Sequence, residues 1–534
     1  MSTLRSSHVA VCLSILVAFA VRAVSINAQS LWRDEVDALC YAYEFPHLVV
    51  QTLAPETAGS LNTPCACPPV LATPAESPEE GVPRRLARTL GGMIRQNGPL
   101  YFFLLRGWIV VTGTSEYAMR FFSLVFGVLC VPLSYAMGRR LFDRLVSLLA
   151  AWLVSTSPYL TWYSHEVKMY ALVSALALVA IYALRRAVEG TGWHWWAVQV
   201  VATSLAFYSH ILAALLIPVQ ILIYFAWWPR ARRQLAGALV SLAFLTLPYL
   251  PLAIWQAPQV LQARETGFHP YGLGEMAEIL LNGWSMGILG RGWPWGAVLA
   301  GTLAVWGLTS PIFLPLSSPH PRREGLDEEM TRFALVCWLV IPLLSVWLIS
   351  LRQPLFTDRY FIWTAPAFYM LIALGLASVA RLGDWGRWTV VFLVGALLVF
   401  SGVNLWQQAI EPIKSDFRAA AAYVADHYTS GELIVFQIPH GRYTFDYYFP
   451  IQEYPWTEGL YTNHRAPDGS YLVSEQNAAY LAQEMTATYG SVWLVATETT
   501  MWDDRGLVQR WLDTNAQRTD AEYFTRVAVY RYVK

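Results

Sequence analysis

Apolar runs long enough to cross a bilayer recur along the whole chain, and no other feature constrains its fold as much. Runs of roughly 16 to 21 residues match the length a helix needs to span the hydrocarbon core. They place spans near Val9–Ile26, Tyr117–Met137, Leu145–Trp162, Met169–Leu184, Trp195–Tyr208 and Ile211–Trp228. Further ones follow near Leu235–Ile254, Gly296–Leu316, Phe333–Leu351, Phe361–Ala380 and Trp388–Val403. About eleven such runs predict an α-helical polytopic membrane protein. Of 534 residues, 55% are hydrophobic and only 14% charged, against roughly 25% charged in a soluble domain. The 37 basic and 37 acidic residues cancel, so no global field points to nucleic acid, and the position of each charge carries the information.

Positions of arginine orient the spans. Arg139, Arg140 and Arg144 follow the second run, Arg185 and Arg186 the fourth, and Arg230, Arg232 and Arg233 the sixth. Arg322, Arg323 and Arg332 separate the eighth and ninth, and Arg381 and Arg387 the tenth and eleventh. The positive-inside rule makes these loops cytoplasmic. The first run follows Arg5 and has the look of a signal peptide, but the many runs after it favour an uncleaved first span. Gly98–Gly113 is apolar but short and carries Arg106. If it crossed, every later arginine cluster would change sides, so it is expected to lie along the outer interface.

The opposite, extracytoplasmic ends then gather on one face. They are the first loop with "LWRDEVDALCYA", "TWYSHEVKMYA", "YSH" ending at His210, the Trp-rich loop Trp255 to Trp295, and "LRQPLFTDRYF". The expected division is a membrane domain over residues 1–403, whose first outer loop 27–116 holds juxtamembrane helices, and a small extracytoplasmic α/β domain over 404–534. In the latter, "DFRAAAAYVADHY" and "RGLVQRWLDTNA" read as helices, and "GELIVFQIP", "SVWLVATETT" and "TRVAVYRYV" as strands. Thr63 to Pro83 is a Pro-rich insertion. Cys40, Cys65 and Cys67 share one loop, leaving a disulfide outside the cell open.

Several charges sit where burial or interface placement makes them candidates for chemistry. Asp34 and Glu35 stand where the first run surfaces, and Glu166 lies in "SHEVKMY". Arg120 sits just inside an apolar run, where an unpaired charge is costly, and Arg359 repeats the situation in "TDRYF". Taken singly, each is equally well a hydrated helix end or a snorkelling side chain. Taken together, carboxylates and arginines at one membrane–water boundary suit transfer from an anionic lipid-linked donor. A carboxylate takes a proton from an attacking hydroxyl, and cations hold the phosphate as it leaves. Lys168, His165 and His210 share that face, and the aromatics of "TWYSH", Tyr163 among them, suit contact with a sugar. No His/Cys cluster has metal-ligand spacing. A divalent ion on Asp34 and Glu166 stays open. A transporter would show an inverted repeat and broken helices in matching halves, and neither is evident.

The order and spacing of these pieces resemble the GT-C superfamily of polytopic glycosyltransferases. The resemblance is to its family 39 branch, which contains the protein O-mannosyltransferases and the aminoarabinose transferase. It is carried by "LWRDEVDALCYA", by "NGPLYFFLLRGWIVVTGTSEYAMRFFSLVFGVLCVPLSYAMGRRLF" and by "SPYLTWYSHEVKMYALVSALALVAIYALRRA". "QPLFTDRYFIWTAPAFYML" and "IKSDFRAAAAYV" carry it more loosely. The resemblance implies a GT-C architecture and inverting transfer of a single sugar from a polyprenyl-phosphate donor to a glycan, lipid or protein acceptor outside the membrane. It implies catalytic roles for Asp34, with Glu35 as its neighbour, and for Glu166, and donor phosphate on Arg120 and Arg359. At the same face, Lys168 is a further candidate for the phosphate, and Tyr163, His165, His210 and Tyr360 are candidates for contact with the substrate. The beta-trefoil insert of the protein mannosyltransferases is missing, and "QNGPL" replaces the family's His- or Asp-Pro-Pro. Transfer of a preassembled glycan from a diphosphate lipid, or flipping of a lipid-linked sugar, are the competing readings.

Overall fold

The computed structural model describes residues 2–53, 63, 67, 81–96, 98–250, 268–290, 294–313, 328–466 and 468–534. Cys65, most of the Pro-rich insertion, Arg322, Arg323 and much of the Trp255–Trp295 loop fall outside them. Packing divides the chain into two units, Met1–Ile26 with Pro83–Gln408, and Asn27–Val82 with Ala409–Lys534. The domain boundary expected after residue 403 falls five residues later, and residues 27–82 of the first outer loop group with the C-terminal residues.

In order, the helices are α1 (Ser2–Val24), α2 (Arg33–Leu53), α3 (Val82–Gln96), α4 (Pro99–Thr112), α5 (Glu116–Leu141), α6 (Arg144–Thr156) and α7 (Pro158–Ser164). Next come α8 (Tyr170–Val188), α9 (His194–Ser209), α10 (Leu216–Ala226), α11 (Leu235–Thr246), α12 (Leu273–Met286) and α13 (Pro294–Phe313). Then follow α14 (Glu328–Ser350), α15 (Ala365–Ala380) and α16 (Asp384–Ile410). Helices lie at the positions of the expected spans. Among the described residues, however, five are long and apolar enough to cross a membrane: Glu116–Leu141, Tyr170–Val188, Glu329–Ser350, Asp358–Ala380 and Asp384–Ile410. The bent pair α6–α7 makes a sixth if it is one span. The expected count of about eleven is therefore not reached on this measure, because several helices are too short for the roughly 20 residues of a span. α9 has 16 residues and α11 has 12. The chain is an integral membrane protein. α13 and α15 approach closely: a Cβ on Gly307 would meet the Leu371 carbonyl at 2.0 Å, and one on Gly375 the Leu303 carbonyl at 2.1 Å. Small residues at such a crossing are how helices pack without a hydrophobic drive between them.

The second unit holds a five-stranded sheet in the order β2-β1-β3-β5-β4. The strands are β1 (Leu433–Phe436), β2 (Trp456–Glu458), β3 (Ser491–Thr497), β4 (Gln517–Phe524) and β5 (Val527–Val533). β1 runs parallel to β2 and β3, whereas β5 is antiparallel to β3 and β4. Alternation along the strands gives each face its own core. Ile434, Phe436, Trp493 and Val495 pack with α17 (Phe417–His427) and Phe445 of α18 (Gly441–Tyr448). Leu433, Val435, Val492 and Leu494 pack with Val508 and Leu512 of α20 (Leu507–Asn515), which α19 (Glu475–Thr486) precedes. In this unit α2 packs on α18, and a Cys40–Cys67 disulfide ties α2 to the loop after it.

Candidate active site

The candidate residues of the first unit are organised by a break in the third expected span. Pro158 lacks an amide hydrogen and cannot continue α6, so Ser157 starts α7 by accepting from the Leu160 amide at 3.1 Å, at an angle of 54° to α6. A break frees carbonyls that need donors in a dry environment. Arg22, fully buried on α1, supplies them: it donates to the Ser155 carbonyl at 3.0 Å, the Val154 carbonyl at 3.3 Å and the Ser164 hydroxyl at 3.2 Å. His165 then meets the Arg22 carbonyl at 2.8 Å through Nε2. Gly127 of α5 lets Ser164 come this close, since a Cβ there would stand 2.0 Å from the Ser164 hydroxyl. His165 thereby helps to anchor the bend.

The bend, residues 165–169, delivers Glu166 and Lys168, both buried. The Lys168 amide donates to the Glu166 carbonyl at 2.7 Å, and the Ser123 hydroxyl donates to the Lys168 carbonyl at 3.2 Å. The Lys168 ammonium stands 5.9 Å from the Phe102 ring centroid, within cation–π range. Glu166 is within electrostatic reach of Tyr159 and Tyr163.

A 3-10 turn, Asp358–Thr364, brings the second part. Tyr163 donates to the Asp358 carboxylate at 2.8 Å, and Tyr159 to the Asp358 carbonyl at 2.7 Å. Arg359 lies 5.7 Å from the Tyr360 ring centroid. Tyr360 packs 4.7 Å from His210 and 6.5 Å from Tyr170, whose ring is 5.6 Å from Tyr163. Tyr163, Lys168, His210, Arg359 and Tyr360 are thus brought together, along with Glu166 and with three residues that the sequence reading left unassigned: Tyr159, Tyr170 and Asp358. "TDRYF" held the signal for Asp358, but only the arginine beside it drew notice.

Burial, with help from the positive charges of Arg359 and Lys168, pushes the His210 imidazole down to about 4. His210 stands between α9 and the next helical turn. At neutral pH it offers a ring nitrogen for hydrogen bonding while Lys168 and Arg359 supply the charge. The sign of the stability effect follows. The unfolded chain takes up a proton near pH 6.5 and the folded chain only near 4, so this group's contribution is complete above pH 6.5 and is lost as pH falls toward 4. Replacing His210 by Phe is expected to flatten the fall in thermal unfolding temperature between pH 7 and pH 5, measured on the detergent-solubilised chain.

Arg120 has partners of its own in this unit. It is buried at the start of α5, 3.6 Å from the Glu116 carboxylate, and it donates to the Ile26 carbonyl at 3.0 Å.

Asp34 and Glu35 belong to the second unit, in the first turn of α2, where carboxylates suit the helix dipole. Their environments differ. Glu35 is fully buried and bonded to the Lys414 ammonium at 2.9 Å, whereas Asp34 is half-buried. Gln29 holds the Lys414 segment by accepting from the Ile413 amide at 2.8 Å. A fully paired buried carboxylate is poorly suited to taking a proton from a substrate, and Asp34 is the more exposed of the two. Among the described residues, no group of three or more His, Cys, Asp or Glu is placed to hold a metal ion.

The broken-helix membrane unit has a fold similar to that of solved membrane glycosyltransferases. More narrowly, residues 96–255 match the family model described as dolichyl-phosphate-mannose-protein mannosyltransferase. Among solved structures, ArnT from Cupriavidus metallidurans bound to undecaprenyl phosphate is similar with a TM-score of 0.53 at 12% identity, over 98% of this chain and 97% of that one. The Archaeoglobus fulgidus oligosaccharyltransferase tethered with an acceptor peptide is similar with a TM-score of 0.53 at 12% identity, over 95% of this chain and 71% of that one. No curated protein matches by sequence.

Proposed function

We propose that the chain transfers a single sugar from a polyprenyl-monophosphate donor to an acceptor hydroxyl on the extracytoplasmic face, with inversion at the anomeric carbon. The observation that carries this reading is the gathering of Arg359, Tyr360 and His210 beside the Tyr163–Asp358 hydrogen bond, with Lys168 within electrostatic reach of His210. Two cations in a partly dry site match the single phosphodiester that joins sugar to lipid, and their attraction grows as the sugar departs and the phosphate becomes a more negative monoester. The tyrosine rings offer faces and hydroxyls to the sugar. Asp34 is the proposed base for the acceptor hydroxyl. Glu166 is proposed to orient the sugar through its neighbours Tyr159 and Tyr163. The undecaprenyl phosphate in the similar ArnT structure supports the donor class, and the distribution of arginines supports the face.

The test is competition for the purified chain between polyprenyl monophosphate and polyprenyl diphosphate. Arg359→Gln is expected to weaken monophosphate binding by the worth of one charge-assisted hydrogen bond, about 1.5–3 kcal/mol, roughly 10- to 150-fold. Preference for the diphosphate in the wild type would instead favour transfer of a preassembled glycan.

A further inference from the structure

We propose that the second unit carries its own sugar-chain site, a row of four aromatic rings along the carboxyl ends of its parallel strands, which holds a neutral glycan acceptor. The acceptor role rests on the function proposed above, while the binding site does not. His440 follows β1, Tyr461 follows β2 and Trp502 follows β3, each within five residues of the strand's end. Their ring centroids make a continuous series: His440 to Trp502 is 6.4 Å, Trp502 to Tyr461 is 4.6 Å, and Tyr461 to His464 is 5.0 Å. Tyr461 is 39% exposed, and His464 is exposed beside it.

This edge is where an open α/β sheet binds ligands. Chain order moves from β1 to β2 on one side and then to β3 on the other, so the carboxyl ends of β1 and β3 flank a topological switch point. Two features there are not accounted for by packing alone. Gln437, the first residue past β1, is buried with no partner for its amide nitrogen among the described residues. Glu498, the first past β3, has a φ of 45°, a left-handed conformation that costs a non-glycine residue energy and tends to occur at functional sites.

The charges around the row select the class of ligand. His440 stands 3.3 Å from Arg33 and 3.9 Å from Glu498, and the His440 contact, with Arg33 and Arg526 nearby, holds the Glu498 carboxyl below its ordinary range. At the other end Arg465 pairs with Asp504 at 3.4 Å. Both ends mix signs, so they offer directional hydrogen bonds to hydroxyls and no net field for a polyanion. Aromatic faces between them suit the apolar faces of sugar rings, as Tyr and Trp combine a flat apolar body with a polar tip.

The experiment is surface plasmon resonance on the full chain in nanodiscs, with cellohexaose and α-1,6-mannohexaose as probes and hexagalacturonate as the anionic comparison. At least one neutral hexasaccharide is expected to bind more tightly than its monosaccharide, with affinity falling at least tenfold in Tyr461→Ala and in His464→Ala. Tyr523→Ala, an exposed ring on β4, is the control and is expected to bind as wild type. Binding of neither neutral probe, equal binding by the row variants, or preference for hexagalacturonate would overturn the proposal. Release of sugar from a polyprenyl-phosphate donor, measured in parallel, separates the two claims. Release without glycan binding removes this site and leaves the transferase, and glycan binding without release does the reverse.

Discussion

Asp34→Asn is expected to abolish transfer almost completely while the protein stays folded and keeps its lipid donor. A positioned general base contributes about 10²–10⁴-fold to rate, and an amide cannot take the proton. The stability cost is small, because Asp34 is half-buried in the first turn of α2, where loss of a charge favoured by the helix dipole costs about 0.3–1 kcal/mol. Turnover measured with saturating donor should fall by at least a hundredfold, with donor affinity and unfolding temperature close to wild type. A variant with full turnover would remove Asp34 from the chemistry.

The neighbouring carboxylate should behave in the opposite way. Lys414→Ala leaves Glu35 fully buried without the ammonium that now lies 2.9 Å away. Breaking a buried pair from one side costs about 3–5 kcal/mol, a large part of the roughly 5–15 kcal/mol that holds a domain folded. The expected result is loss of the folded second unit, seen as a lowered unfolding temperature and proteolysis within 409–534. Pairing the change with Glu35→Leu should recover much of the loss, because an apolar pair of similar volume avoids the stranded charge. If the double variant is no more stable than Lys414→Ala alone, Glu35 is held by something other than this pair. The two experiments together assign adjacent residues to separate tasks, chemistry for Asp34 and architecture for Glu35.

Legibility of the fold in the sequence followed the physical range of each signal. Apolar runs and arginine positions are local, and they marked the helices of the membrane unit. The length test did not carry over as cleanly, because Pro158 bends one run and α9 and α11 stop short. The buried strands β1 and β3 were visible as apolar stretches. β4, "QRTDAEYF", was missed because an exposed edge strand has the polar composition of a loop. Among the candidate residues, charges in apolar surroundings stood out, which is why Lys168 and Arg359 were singled out. Partnerships did not stand out: Lys414 meets Glu35 across 379 positions of sequence, and Tyr163 meets Asp358 across 195. Nor did the contacts of Arg120 with Glu116 and the Ile26 carbonyl. Arg22 drew no attention, since an arginine near the end of a first span resembles an ordinary interface residue, yet it is the donor that holds the bend carrying Glu166 and Lys168.

The most direct test of lipid-dependent transfer follows the fate of a labelled sugar supplied as a polyprenyl-monophosphate donor to the chain reconstituted in sealed vesicles with an acceptor outside. Label is expected to leave the lipid, to appear on the acceptor with inverted anomeric configuration, and to leave polyprenyl phosphate in equal amount. Movement of intact lipid-linked sugar across the bilayer, with no label on the acceptor, would contradict it and make the chain a transporter.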